Sequence, residues 1–259
     1  MSTHAVSPGP LRAPAAPPRT RLRHWTGPAV LLLAWQLVAS AGLATDAAPA
    51  AVARTALALV TDGSLGGATL DSVLRAAAGL ALGTALALAL ALATGLSRAG
   101  ADLLDLPLRA LRLVPTVALL PLLLVRTGDG ATPTVALVAA GVALPLHLHT
   151  ASGLRDHGPQ ALGAARAMRL TRAQVVRHVA LPGALPRTLD GLRAGLAAGW
   201  AALFVAETAT DHGLGALTVD AVEDARADVL LVVVAVYALL ALLGDSLVRL
   251  VARRALSWQ

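Results

Sequence analysis

Long apolar runs recur along the chain, and most are about as long as a membrane-spanning helix. Six runs lie near residues 25–43, 76–96, 107–125, 132–150, 189–208 and 229–250. The last five hold 19 to 22 residues each, and an α-helix of that length crosses the ~30 Å hydrocarbon layer of a bilayer. Polar, basic or proline-rich segments separate the runs. The pattern predicts an all-α fold, a polytopic membrane helix bundle with about six transmembrane helices.

The composition favours the same class of protein. Of the 259 residues, 56% are hydrophobic and 14% are charged, so a soluble fold would leave large apolar surfaces in water. Glycines four positions apart let two helix backbones approach closely within lipid. Packing within one subunit is the simplest interpretation of such glycines; a subunit interface and a moving gate stay open. The candidate packing glycines are Gly79, Gly83, Gly191, Gly195 and Gly199.

The runs and the segments between them divide the chain into five parts. Five prolines and four arginines in residues 1–24 predict a disordered cytoplasmic tail. Residues 25–43 could pass for a signal peptide, but an uncleaved first transmembrane helix is preferred because the basic tail is long and five more apolar runs follow. The other parts are an extracytoplasmic segment at 44–68, a transmembrane domain at 69–250 and a cytoplasmic C-terminal tail at 251–259.

The distribution of arginine predicts the orientation. All 21 basic residues are Arg, and the formal net charge is +6. With six spans and a cytoplasmic N-terminus, 17 arginines fall on the cytoplasmic side and four outside, in agreement with the positive-inside rule. Both termini are therefore predicted to be cytoplasmic. Because the charges lie between apolar runs, they indicate membrane topology rather than nucleic-acid binding.

The absence of two residue types excludes some chemistry. The chain has no Cys, so disulfides and thiolate metal sites are excluded. It also has no Lys, so it cannot supply the phosphate-binding lysine of a Walker A loop. If transport uses ATP, another polypeptide must hydrolyse it.

The longest polar segment between spans is a loop at 151–188. A Gly-Pro pair at 158–159 predicts the start of a short helix over 160–168. Thr171 and Gln174 then match a capping box, which predicts the start of a second short helix. Apolar and basic residues are interspersed along this second helix. It is therefore predicted to be amphipathic, with apolar side chains that fit a groove on a partner.

Two prolines limit that second helix. Pro182 and Pro186 are predicted to stop it before the next span, because proline lacks the backbone N–H that a helix needs. The alternative to a partner-binding helix is a generic amphipathic loop that lies on anionic lipid headgroups.

The loop resembles the cytoplasmic signature of the permease subunits of bacterial ABC importers, in the branch that handles nitrate, sulfonates, taurine and related solutes. That signature reads Glu-Ala-Ala, three residues, Gly, nine residues, then an aliphatic residue, any residue, Leu-Pro. Residues 163–182, GAARAMRLTRAQVVRHVALP, keep five of its positions: Ala164, Ala165, Val179, Leu181 and Pro182. Gly163 replaces the family's Glu. Arg169 replaces its Gly, where an arginine is either neutral or stiffens or blocks the turn.

The resemblance covers roughly residues 65–259. Residues 111–130 resemble the family's Pro-x5-Pro segment, although Arg126 and Thr127 stand where the family has an aromatic pair. Residues 181–207 resemble the entry into the fifth span, and the HGLGALTVDA that follows at 212–221 resembles a Gly-Leu-Gly turn. The resemblance implies the ABC importer type-1 permease fold over residues 69–250, in the bacterial inner membrane.

The resemblance also implies partners. Two permease chains, as a homodimer, would form the pathway, two ATPase subunits would bind ATP-Mg, and an extracytoplasmic binding protein would deliver the solute. This chain would be no enzyme and would hold no cofactor of its own. The transported solute stays open among sulfonates, nitrate, taurine and thiamine-precursor pyrimidines, because selectivity is expected to rest with the binding protein. The implied ATPase-coupling residues are Gly163, Ala164, Ala165, Arg169, Leu170, Arg172, Val175, Val176, Arg177, Leu181 and Pro182.

The other polar residues either allow two functional interpretations or predict no site. Glu207 follows an apolar stretch, so it is either a gate or pathway residue or an acid at the outer interface, solvated or paired with a neighbouring Arg. His147 and His149 fall on different faces of a helix, so no metal site is predicted. The acidic loop between the last two spans either contacts the binding protein or is solvated. Its acids are Asp211, Asp220, Glu223, Asp224 and Asp228.

No catalytic constellation is visible. Glu207, Asp211 and His212 lie close in sequence but lack a nucleophile elbow or a metal-ligand spacing, so a hydrolase is a remote hypothesis. The alternative function from another class is a membrane scaffold, a degenerate permease that binds partners without transporting. Within the predicted spans, no Arg cluster indicates an anion site deep in the membrane.

Overall fold

The computed structural model describes residues 26–39, 41, 47–156, 163, 165 and 167–256, and no strand occurs among them. The all-α class is confirmed for this part of the chain. Its nine α-helices are α1 (Thr26–Val38), α2 (Pro49–Thr61), α3 (Ser64–Leu96), α4 (Arg98–Leu113), α5 (Leu120–Thr127), α6 (Ala131–Arg155), α7 (Arg172–Thr210), α8 (Gly213–Glu223) and α9 (Ala227–Ala255).

Four of these helices are long and apolar enough to cross a membrane: α3, α6, α7 and α9. A fifth crossing results if α4 and the helical segment Thr116–Thr127 form one bent span. The predicted first span at 25–43 lies partly outside the described residues, and α1 covers 13 of its positions. The predicted disordered tail at 1–24 lies wholly outside them, as do Gly158, Pro159 and the start of the short helix at 160–168.

The predicted third span at 107–125 is not one straight helix. The chain turns by 94° between α4 and the segment that begins at Thr116. Val114 has extended backbone angles, φ −79° and ψ 123°, because the ring of the following Pro115 disfavours helical angles at the residue before it. The predicted third span therefore contains a bend at this proline.

The prediction that Pro182 and Pro186 stop the second short helix was wrong. The helix continues from Arg172 to Thr210 through both prolines. A π-helical turn at Val176–Ala180 ends two residues before Pro182, and this wider turn accommodates the missing N–H of Pro182 and the ring that would otherwise clash with the preceding turn. That short helix and the fifth predicted span are therefore one continuous element.

The centre of the bundle is α6, which packs against α3 on one side and α7 on the other. Both contacts use glycine. A Cβ atom on Gly83 would lie 2.6 Å from the Ala139 carbonyl oxygen, and one on Gly195 would lie 3.0 Å from the Val142 carbonyl oxygen. The glycine faces of α3 and α7 thus lie in contacts within this chain. Gly79, Gly191 and Gly199 have close neighbours on α6 in the same way.

Candidate functional site

The candidate coupling segment comprises the described residues between 163 and 182. The capping box is confirmed: the Gln174 backbone N–H donates to Thr171 Oγ1 at 3.4 Å, and the Thr171 N–H donates to Gln174 Oε1 at 2.8 Å. The Arg172 guanidinium donates to the Leu96 carbonyl oxygen at 3.0 Å. This bond fixes the start of α7 to the end of α3.

The side chains of the coupling segment divide into a buried and an exposed set. Ala165 is 3% exposed, and Leu170, Val175 and Val176 are half-buried within the chain. The exposed set includes the apolar Met168 and Leu181, at 64% and 45%. Gly163, Arg169, Arg172, Arg177 and Pro182 are exposed as well, and Ala164 lies outside the described residues. Sequence reasoning missed Met168, which the family spacing does not mark.

The backbone explains why the family has glycine where this chain has Arg169. Arg169 has a φ of 51°, in the left-handed region that glycine adopts most easily. The Leu170 N–H donates to the Ala165 carbonyl oxygen at 3.0 Å, which closes a helix end of the Schellman type. Arg169 therefore occupies a strained position in an otherwise ordinary cap.

Replacing Arg169 with glycine is expected to stabilise this cap. A left-handed non-glycine residue costs about 1–2 kcal/mol, and the added freedom of glycine in the unfolded chain offsets roughly 0.5–1 kcal/mol of the relief. The Leu170 N–H should then exchange with solvent deuterium several-fold more slowly. Arg169→Ala is the control, because it removes the side chain but keeps the strain. Equal exchange in both variants would contradict the backbone explanation.

Glu207 lies at the centre of a buried polar cluster. Its side chain is 0% exposed, so the interpretation as a solvated interfacial acid was wrong. Its Oε2 accepts hydrogen bonds from Ser72 Oγ and from the Tyr237 hydroxyl, both at 2.7 Å. Ser72 Oγ in turn accepts the Leu214 backbone N–H at 2.9 Å. The four residues belong to α3, α7, α8 and α9, so one carboxylate connects four helices.

The turn that follows Glu207 packs directly on it. A Cβ atom on Gly215 would lie 2.2 Å from the Glu207 backbone carbonyl carbon, and one on Gly213, whose φ is 57°, would lie 2.5 Å from Glu207 Oε1. The Gly-Leu-Gly sequence therefore lets the start of α8 close over the acid. A gate or pathway role for Glu207 stays a prediction.

The remaining polar candidates make contacts within this chain. His147 contacts Thr94 Oγ1 through Nε2 at 3.1 Å, whereas the Cβ of His149 faces Gly191 on α7. Among the described residues, no group of acids and histidines could hold a metal ion. The acidic loop is largely helical: Asp220 and Glu223 belong to α8, and Asp228 accepts a hydrogen bond from Thr55 and pairs with Arg226.

The bundle and its bent apolar helix pair define a multi-pass membrane protein. Residues 72–257 match the model of the family described as "Binding-protein-dependent transport system inner membrane component". The chain belongs to this family and is an ABC importer permease. The matched region contains the coupling segment and the whole Glu207 cluster.

Named relatives agree with this assignment. The chain is 37% identical to the "Putative aliphatic sulfonates transport permease protein SsuC" of Escherichia coli, with 92% of each chain covered. It is 31% identical to the Bacillus subtilis protein of that name, over 90% of this chain and 86% of the relative. It is 36% identical to the "Taurine transport system permease protein TauC" of Escherichia coli, over 63% of this chain and 60% of the relative.

A solved structure supports the fold. The chain matches one titled "Crystal structure of an amino acid ABC transporter with histidines" with a TM-score of 0.63. The match covers 76% of this chain and 97% of that one at 19% identity. The type-1 permease architecture predicted from the resemblance is consistent with this likeness.

Proposed function

We propose that this chain forms half of the translocation pathway of an ATP-driven importer for a small oxyanionic solute, with sulfonates the first candidates. The observation that carries the proposal is the identity to a sulfonate permease over 92% of both chains. Taurine also carries a sulfonate group, and a more distant relative is the "Nitrate import permease protein NrtB" of Synechocystis, at 25% identity. All three solutes present oxygen atoms that share negative charge.

The chain would act with three kinds of partner. A second copy would complete the pathway, a separate ATPase would bind and hydrolyse ATP-Mg, and an extracytoplasmic binding protein would deliver the solute. The arginine distribution supports an orientation with both termini in the cytoplasm. In this orientation the coupling segment and the start of α7 face the ATPase.

The coupling segment would transmit the ATPase movement to the membrane. Met168 and Leu181 provide apolar contact area, and Arg177 provides a positive charge beside it. Arg172 and the capping box hold the segment in a fixed position. Since the segment continues directly into α7, closure of the ATPase dimer would move this helix as a rigid body and switch the pathway between its inward-open and outward-open states.

A double variant of the exposed coupling face tests this role. Met168→Asp with Arg177→Glu places two negative charges on a face that is apolar and basic in this chain, and is expected to weaken ATPase binding roughly tenfold or more. Binding is measured by co-purification with the cognate ATPase, and function by ATP-dependent uptake of radiolabelled sulfonate into proteoliposomes with the binding protein. Both side chains are exposed, so the fold should be unchanged.

The control is Arg126→Glu, a charge reversal at an exposed arginine at the end of α5, far along the chain from the coupling segment. It should leave ATPase binding intact. Unchanged assembly and uptake in the Met168→Asp, Arg177→Glu variant would refute the coupling role.

A membrane scaffold is the second candidate, and the departures from the family signature at Gly163 and Arg169 favour it. A scaffold would bind the ATPase without importing any solute. The uptake assay separates the two functions: retained ATPase binding with no ATP-dependent uptake of sulfonate, taurine or nitrate supports the scaffold.

A further inference from the structure

A cavity of about 420 Å³ lies between α4, α6 and α7, at the C-terminal end of α6 and beside Arg187 in the first half of α7. Four arginines and two aspartates line it, so its formal charge is +2 with His147 neutral. The hydropathy pattern did not predict this cluster, because its arginines come from three different helices and are far apart in the sequence.

The two aspartates are already neutralised by two of the arginines. Arg155 makes a bidentate pair with Asp105, at 2.8 and 3.1 Å. Arg187 donates to Asp156 at 2.6 Å. Arg109 and Arg112 have neither a hydrogen bond nor an ion pair within the part of the chain that the structure describes, although Asp105 acts on Arg109 at longer range. The excess positive charge therefore belongs to the two α4 arginines.

A buried histidine adds a polar atom without a partner. His147 lines the cavity and is 6% exposed. The Thr94 hydroxyl donates to the Leu90 carbonyl oxygen at 2.9 Å, so it accepts a hydrogen bond from His147 Nε2. His147 Nδ1 is buried and has no partner among the described residues. A buried polar atom of this kind requires a ligand or a bound water.

We infer that this cavity is a binding site for a tetrahedral oxyanion, with Arg109 and Arg112 as its principal donors and His147 at its buried wall. Each guanidinium presents planar paired donors that match sulfonate, sulfate or phosphate oxygens. The volume falls within the range of small-molecule sites. In the neutral ring His147 Nδ1 is an acceptor, so a bound water that donates to both Nδ1 and the anion would link the two.

Such an anion has two sources, a free sulfonate or sulfate and the phosphate of a lipid headgroup. The choice of a sulfonate as the probe rests on the proposed function. The binding experiment does not depend on transport. A failure of the uptake assay would therefore not contradict the anion site, and a failure to bind anion would not contradict the coupling role.

The test uses the full chain with its ATPase partner in nanodiscs. In discs of zwitterionic phosphatidylcholine, sodium methanesulfonate is titrated against sodium chloride at equal ionic strength, and binding is measured by calorimetry. In discs that also contain phosphatidylglycerol, native mass spectrometry counts the retained anionic lipids. The variants are Arg109→Gln with Arg112→Gln, the same pair changed to Lys, and a control pair at the exposed end of α9, Arg253→Gln with Arg254→Gln.

Binding of methanesulfonate that is weakened at least ~10-fold by the glutamine pair, less by the lysine pair and not by the α9 control supports a free-oxyanion site. Loss of retained phosphatidylglycerol with the same pattern supports a headgroup site. No effect in either disc, or an equal effect of the α9 control, overturns the inference. Both α4 arginines are exposed, and an unchanged unfolding midpoint without anion shows that the variants are folded.

Discussion

Replacing Glu207 with alanine is expected to reduce the free energy of unfolding by roughly 1–3 kcal/mol, the usual cost of leaving buried hydrogen-bonding groups without a partner. The Ser72 and Tyr237 hydroxyls would lose their shared acceptor at a site with no exposure to solvent. The contacts between four helices weaken together. Chemical or thermal unfolding in detergent, followed by circular dichroism, measures the loss.

Two controls separate the network from the bulk of the side chain. Glu207→Gln keeps the volume and an acceptor oxygen, so it should lose less than half as much stability as alanine. Glu223→Ala removes an exposed acid at the end of α8 and should change stability by less than ~0.5 kcal/mol. If alanine at 207 is no more harmful than alanine at 223, the cluster does not hold the helices together.

Replacing Gly215 with alanine is expected to displace α8 from α7. The new Cβ would stand 2.2 Å from a backbone carbon and 2.5 Å from the Thr208 backbone nitrogen, and neither atom can rotate away as a side chain would. Overpacking typically costs about 1–3 kcal/mol, and the value here should lie at the upper end because the Leu214–Ser72 hydrogen bond is lost with the contact. The unfolding experiment used for Glu207 also measures this loss.

Gly67 offers a matched control for that variant. It lies inside α3, and a Cβ atom there would meet nothing within 4 Å. Gly67→Ala should therefore be neutral or stabilise the helix by up to ~1 kcal/mol. Equal stability of the two alanine variants would show that α8 does not pack on Glu207 as closely as described.

Hydropathy located the spanning helices but not their ends. The second span was predicted to begin near residue 76, whereas α3 begins at Ser64 and contains Asp71 and Arg75. The two charges form an ion pair one turn apart, at 2.9 Å. Opposite charges at this spacing favour a helix, whereas a hydropathy profile counts each as a terminator.

The prolines show why local rules alone do not locate helix breaks. Pro115 breaks its span because Val114 adopts the extended angles that a following proline favours. Pro182 does not, because a π-helical turn precedes it and loosens the backbone ladder there. The residue type is the same in both cases, and the packing of the preceding turn decides the outcome.

A candidate site could be predicted from the sequence when its residues lie close together along the chain, and not when they lie far apart. The capping box was evident from two residues three positions apart. Glu207 was noticed as an acid at membrane depth, but its partner Ser72 is 135 residues away. The arginine cavity joins α4, α6 and α7, and its two ion pairs link residues that lie 50 and 31 positions apart in the sequence.

The uninterrupted α7 makes the two ends of the molecule mechanically dependent on each other. Its 39 residues amount to a lever of roughly 60 Å, with the cap at Thr171 at one end and the Glu207 cluster near the other. The π-helical turn at Val176–Ala180 lies close to the first end of this helix, so a change in that turn is expected to alter how rigidly the two ends are connected.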